Sequence, residues 1–345
     1  MRRKIKEEEK LPGNGGVPII DLHCDLLSYL ENQLTRTAND DASRCSLSQL
    51  QQGMVKIQTF AIYTLTASES VKKGVNQARI FHELPQKYPK NYVHYSPEIH
   101  VETSPYISGL MAFENASGFC GEDEKLEEGL KRLKKIIQNV AKPFYISMTW
   151  NHENRFGGGA ATQIGLKADG RVLLEELHQQ GIAIDLSHAS DPLAYEIIDF
   201  IEGRNLDIRL IASHSNARHI VDVPRNLPND IAVEIFKRGG VVGLNLYHKF
   251  VGENAEWLPK HLAHWLELGG ENHIAIGADF FYDQDHEFGA NPFFNHYQNA
   301  SCYGTLCDLV HKELRLDRSL LEKFAFRNAL EFIQKSSYIN HLLKT

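Results

Sequence analysis

The 345-residue chain contains no apolar run that approaches a membrane span, which takes about 20 consecutive residues. Residues 339–345 carry no hydrophobic tail of the sort exchanged for a lipid anchor. The expectation is a protein without a membrane anchor. A basic stripe is also missing, as is any interleaving of basic with aromatic residues. With a net charge of −7 and a pI of ≈ 6.2, nucleic acid is not expected as a partner. Cysteine is scarce. Cys24, Cys45, Cys120, Cys302 and Cys307 are odd in number and lack CxxC spacing, so they indicate neither a disulfide framework nor a thiolate zinc site. They read as buried, reduced thiols. The basic start, Arg2, Arg3, Lys4 and Lys6, is not followed by the apolar segment of a signal peptide, and the expected compartment is the cytoplasm. Residues 1–16 end in Gly13-Asn14-Gly15-Gly16 and read as a flexible, solvated arm. No internal linker follows, so residues 17–345 are expected to form a single domain.

What the chain does contain is a repeated pattern of apolar runs that end in a side chain able to bind a metal. Val17-Pro18-Ile19-Ile20-Asp21-Leu22 runs into His23-Cys24-Asp25. On an extended strand residues i and i+2 share a side, so His23 and Asp25 leave the backbone together and Cys24 faces away. Similar runs deliver Glu114 after Ser108-Gly109-Leu110-Met111-Ala112-Phe113, His188 after residues 181–187, His214 after residues 209–213 and Asp279 after residues 273–278. A solvated loop explains any one of these but not five together.

Eight segments read as buried strands, around residues 18–23, 55–63, 108–114, 144–150, 182–188, 209–214, 240–246 and 273–279. Between most of them lie stretches with helical spacing, for example 124–140, 170–180, 192–202, 229–238 and 255–268. Strand–helix alternation implies a parallel sheet, and eight units imply a closed (β/α)8 barrel of the TIM type, with the chemistry at the carboxyl ends of the strands. Ser190-Asp191-Pro192 has the form of a helix start. Gln180-Gly181, Arg238-Gly239-Gly240 and Leu268-Gly269-Gly270 have the form of helix ends. Residues 24–55 show no clear helix between the first two strands.

The runs DLHCDLL (from Asp21), AFENASG (from Ala112), DLSHAS (from Asp185), SHSNAR (from Ser213), PRNLPND (from Pro224) and GADF (from Gly277) together resemble the membrane dipeptidase family. These are renal-dipeptidase-like metallopeptidases of the amidohydrolase superfamily. The resemblance extends from about Val17 to about Ile333, because Arg327-Asn328-Ala329 is similar to the family's carboxyl-terminal helix. It implies a (β/α)8 barrel holding two zinc ions. His23, Asp25 and Asp279 would hold the first ion and His188 and His214 the second, with Glu114 bridging both. Imidazoles and carboxylates suit zinc, and a carboxylate spans a metal pair about 3.5–4 Å apart; manganese or cobalt could use the same donors.

The function implied is hydrolysis of the peptide bond of dipeptides by a metal-bridging hydroxide, with tolerance of a D-residue at the C-terminal position. Asp279 would accept the proton and return it to the leaving amine, and Arg225 would grip the terminal carboxylate through its planar fork. A homodimer is implied as well. Where the mammalian members place a substrate-orienting histidine after Leu-Thr, this chain has Trp150. His152, two residues on, is the candidate for the catalytic and substrate-binding role, with Asn151 and Trp150 as alternatives. Phe280-Phe281-Tyr282 stands where the family often has Asp-Gly, which makes that loop bulkier, and residues 282–303 read as a lid whose histidines are exposed. His261 and His264 read as a helix face. Asp21 is the stronger candidate for orienting His23 and Asp185 the weaker one for His188, because alternation puts Asp185 on the opposite side of its strand. Two alternatives stay open: a metal-dependent amidohydrolase acting on N-acyl amino acids or cyclic amides, and a non-catalytic metal-binding protein.

Overall fold

A computed structural model describes residues 16–285 and 291–336. The expected arm, His286 of the expected lid and the carboxyl-terminal tail lie outside these, apart from Gly16. The described strands are β1 (Ile19–Cys24), β2 (Val55–Tyr63), β3 (Tyr92–His94), β4 (Ile107–Glu114), β5 (Tyr145–Ser147), β6 (Ala183–Asp185), β7 (Leu210–Ala212), β8 (Val241–Leu244) and β9 (Ile274–Ile276). Every pairing is parallel, and eight strands close a barrel in the order β1-β2-β4-β5-β6-β7-β8-β9, with β9 back on β1. Helices between the strands complete a (β/α)8 barrel. β3 is additional. It pairs with the first half of β4, Tyr92 against Ile107, on the edge that β5 takes farther up through Phe113 and Glu114.

The eight barrel strands fall where hydrophobic runs were expected, but β5, β6, β7 and β9 are shorter, at three residues each. Past β6 and β7 the Ser187 and Ser213 amides donate to the Asp185 side chain and not to a neighbouring strand, and the hydroxyls of Ser147, Ser187 and Ser213 join the same buried polar network. The helix Asp191–Gly203 starts as expected, with Ser190 accepting from the Leu193 amide and Pro192 in the first turn. Gly181 closes Ala168–Gln180 in the left-handed conformation, φ 60°. The uncertain stretch after β1 holds two short helices, Leu26–Asn32 and Leu47–Gln52. Neither is long enough to display a helical period in sequence. Among the described residues no helix is long and apolar enough to cross a membrane.

Candidate metal centre

Six side chains expected as ligands converge at the carboxyl ends of the strands. His23 and Glu114 are the penultimate residue of β1 and the last of β4, while Asp25, His214, His188 and Asp279 lie one to three residues past β1, β7, β6 and β9. His188 and Asp279 adopt left-handed backbone conformations, φ 69° and 62°. An L-residue adopts these only at a cost that concentrates at functional turns. The turn brings each side chain over the barrel mouth, with the Asp279 amide donating to the His23 carbonyl at 3.2 Å.

Glu114 divides the cluster. Its Oε2 lies 3.2 Å from His23 Nε2; its Oε1 lies 2.7 Å from His188 Nε2 and 3.7 Å from His214 Nε2. On the first side, His23 Nε2 is 3.7 Å from Asp25 Oδ1 and 3.8 Å from Asp279 Oδ1. On the second, the Nε2 atoms of His188 and His214 are 2.9 Å apart. Three triads have ligand atoms within 4.8 Å of one another: His23–Asp25–Glu114, Glu114–His188–His214, and His23–His214–Asp279. The last crosses the division, so the two halves adjoin. All six residues are buried. Three carboxylates and three imidazoles with converging lone pairs form a donor set suited to borderline divalent ions such as zinc.

The electrostatics fit a cation as well. Burial pushes the Asp279 carboxyl up to about 7, with Glu114 and Asp25 adding to the rise and His23 and Arg225 opposing it. Burial would raise Glu114 too, but His23 and His188 outweigh it and hold that carboxyl low. His188 falls to about 4, chiefly through burial and then through the Arg225 charge, which leaves a neutral ring able to ligate. Carboxylates crowded out of water draw in positive charge, and a metal pair would supply it in place of protons.

The groups around the ligands differ in part from the expectation. Asp21 does not orient the His23 ring. Two residues of strand separate neighbouring layers by about 6.6 Å, and the Asp21 carboxylate is occupied by the amides of His23 and Ala278, by Gln58 and by the Tyr303 hydroxyl. Tyr145 takes that place, its hydroxyl 2.7 Å from His23 Nδ1. Asp185 reaches His214 through Ser213 and does not touch His188. Alternation had set Asp185 on the opposite side of its strand from His188, and its carboxylate is taken up by Ser147, Ser187 and Ser213 instead. Asn245, unrecognised in the sequence, donates to Asp279 Oδ2 at 2.8 Å.

Above the cluster lies a pocket whose wall, ligands aside, is Tyr63, Trp150, Asn151, Tyr247, Phe250 and Phe281. His152 is not brought into it. That ring is exposed, 6.1 Å from Trp150 by ring centroids, and Asn151 instead points its Oδ1 at His188 Nδ1, 2.8 Å away. Arg225 is buried behind His188: Nε lies 3.1 Å from His188 Nδ1, and the terminal nitrogens donate to Ser215 Oγ at 3.2 Å and the His214 carbonyl at 3.1 Å. Phe281, just before the expected lid, faces the pocket, whereas Asp283 and Asp285 of the lid pair with Arg44 and Arg36 of the loop after β1. His296 is exposed. His261 and His264 are helix residues hydrogen-bonded to neighbouring segments.

The profile of the membrane dipeptidase family, peptidase family M19, matches residues 14–344. The chain belongs to that family. An uncharacterized dipeptidase of Schizosaccharomyces pombe is 25% identical over 300 residues, 76% of this chain and 69% of the yeast protein. Mouse dipeptidase 3 is 25% identical over 284 residues, and the match spans 55% of its length. Among solved structures, a family M19 dipeptidase superposes with a TM-score of 0.79 at 21% identity, covering 93% of this chain and 99% of its own. A Rhodobacter sphaeroides metallopeptidase, liganded with a phosphinate mimic of the dipeptide L-Ala-D-Ala, gives 0.79 at 20% identity, covering 93% and 99%. At such identities these structures speak for the shared barrel.

Proposed function

We propose that this membrane dipeptidase family member is a binuclear zinc dipeptidase that cleaves the peptide bond of dipeptides, including those with a D-residue at the C-terminal position. The observation that carries the reading is the division of Glu114, one oxygen toward His23 and the other toward His188 and His214, within a family of dipeptidases. His23, Asp25 and Asp279 would hold one ion and His188 and His214 the other, with Glu114 between. Bound there, zinc would lower the pKa of water and polarise the scissile carbonyl.

The protein's own groups do the rest. Asp279 accepts the attacking water's proton at Oδ1, the oxygen facing the cluster, while Asn245 holds Oδ2. It then delivers that proton to the leaving amine nitrogen. Arg225 makes three hydrogen bonds to protein groups, and a guanidinium has five N–H bonds. One remains on each terminal nitrogen for the substrate's carboxylate. The aromatic wall excludes water and packs the substrate side chains, and Asn151, not His152, is the polar group beside His188. Acceptance of a D-residue is supported by the L-Ala-D-Ala mimic bound to the Rhodobacter protein. The reading also takes residues 17–345 as one domain, and extends to a homodimer that light scattering would test.

The deciding experiment is hydrolysis of a panel of L,L and L,D dipeptides, with N-acyl amino acids alongside and metal content measured on the same sample. Dipeptide cleavage that is lost on chelation and restored by zinc supports the proposal. Cleavage of N-acyl amino acids alone would make the protein a different amidohydrolase. Absence of bound metal would overturn the reading.

A further inference from the structure

We infer that Asp185, acting through the Ser213 hydroxyl, is a positioning residue that fixes which nitrogen of His214 faces the cluster. A neutral imidazole carries one N–H, and the partner of one nitrogen decides whether the other keeps a lone pair. Ser213 Oγ lies 2.8 Å from Asp185 Oδ2 and 2.7 Å from His214 Nδ1, and a hydroxyl has a single proton to give. Asp185 Oδ1 accepts from the backbone amides of Ser187 and Ser213 at 3.1 and 2.8 Å, and Oδ2 accepts from Ser147 Oγ at 2.7 Å as well as from Ser213. Four donors converging on one buried carboxylate leave it an acceptor only. The Ser213 proton therefore goes to Asp185, a serine lone pair faces His214 Nδ1, and that nitrogen bears the hydrogen. Nε2 is left bare toward His188 Nε2 and Glu114 Oε1.

The ring of His23 gives no such reading: the Tyr145 hydroxyl, which donates to the Leu22 carbonyl at 3.0 Å, lies 2.7 Å from Nδ1, and the Glu114 carboxylate lies 3.2 Å from Nε2, so both nitrogens face acceptors and both carry hydrogen in the metal-free protein. His188 has no such chain. Its Nδ1 faces an acceptor, Asn151 Oδ1, and a donor, Arg225 Nε, and it provides an internal contrast.

The test reads the tautomer directly, in metal-free protein labelled with 15N-histidine, with His214→Gln used to assign the ring. In the parent protein His214 should show the pattern of hydrogen on Nδ1. Ser213→Ala and Asp185→Asn should release His214 to the other tautomer and Ser213→Thr should keep it; none should alter His188. In chelator competition Ser213→Ala should weaken zinc binding by about 10–100-fold, with Thr restoring it. Melting curves establish that each variant is folded. A His214 ring that keeps hydrogen on Nδ1 in both Ser213→Ala and Asp185→Asn overturns the inference, as does a Thr variant as impaired as the Ala variant. The zinc readout alone rests on the proposed function. If the parent bound no zinc that reading would fall, while the tautomers would still decide this one.

Discussion

Replacing Arg225 with methionine removes the group assigned to the substrate's carboxylate while keeping an unbranched side chain of similar reach. The guanidinium is buried, and burial lowers its pKa from the usual arginine value without threatening its charge. Three of its five N–H bonds are committed to His188, Ser215 and the His214 carbonyl. Two remain for the ligand, each a charge-assisted hydrogen bond to a carboxylate worth about 1.5–3 kcal/mol. Taking the low end for both, Arg225→Met should lower kcat/KM on a free dipeptide by about 3 kcal/mol, a factor of about 150.

A dipeptide amide lacks the carboxylate and serves as the control substrate. The parent should prefer the free dipeptide over its amide by a comparable factor, and the variant should lose that preference. Arg225→Lys keeps the charge without the planar fork and should fall between them. Because Arg225 also touches His188, zinc content must be measured in each variant. Equal losses on the dipeptide and its amide, at full metal content, would refute the reasoning: Arg225 would then support His188 and play no part in holding the carboxylate.

Asp279→Asn should retain most bound metal yet lose at least about 100-fold in kcat, since an amide cannot carry the proton; near-parent turnover at full zinc occupancy would remove that role. His261 is fully buried, with Nδ1 accepting from the Ala217 amide and Nε2 donating to the Val251 carbonyl, and burial lowers its pKa to about 4. The lowered value means that the folded state favours the neutral ring, so this contribution is complete above about pH 6.5 and is lost as pH falls toward 4. Between pH 7.5 and 5 it should cost the parent about 2 kcal/mol, a slope that denaturant unfolding of His261→Gln should lack. A Cβ added at Gly277 would meet the Ser213 carbonyl at 1.9 Å and the His214 Cα at 3.1 Å. Gly277→Ala should therefore destabilise the protein by about 2 kcal/mol or more and weaken zinc binding, measured by calorimetry and chelator competition.

The barrel was legible because each strand is a short, continuous apolar run, the form required of a sheet covered on both faces. β3 was not, since Tyr92-Val93-His94 is three residues long and half exposed. Its place is decided by the neighbouring edge of β4, which no local pattern records. The convergence of the six expected ligands was legible for a related reason: a parallel barrel delivers the residues at its strand ends to one mouth, so the order of the runs along the chain already states which side chains can meet.

The groups behind the ligands obey a different rule, and local reasoning did not find them. Asp21 and Asp185 were assessed by alternation along their own strands, whereas the hydroxyls that reach the ligand rings come from other positions: Tyr145 of β5 for His23, and Ser213, anchored on Asp185 of β6, for His214. A ring nitrogen behind a ligand points sideways, between strands, so its partner is set by register across the sheet. Register pairs Ser147 with Asp185 and Asp185 with Ile211, which sets the carboxylate between the serines of the two flanking segments. His152 stands away from the cluster for a local cause. The backbone turns after Trp150, with the Gly159 amide donating to the His152 carbonyl, and that turn leaves Asn151 facing His188 and the His152 ring in solvent. A one-residue difference in where a loop reverses decides which polar side chain stands over the site, and a residue type two positions from a motif carries little information about it.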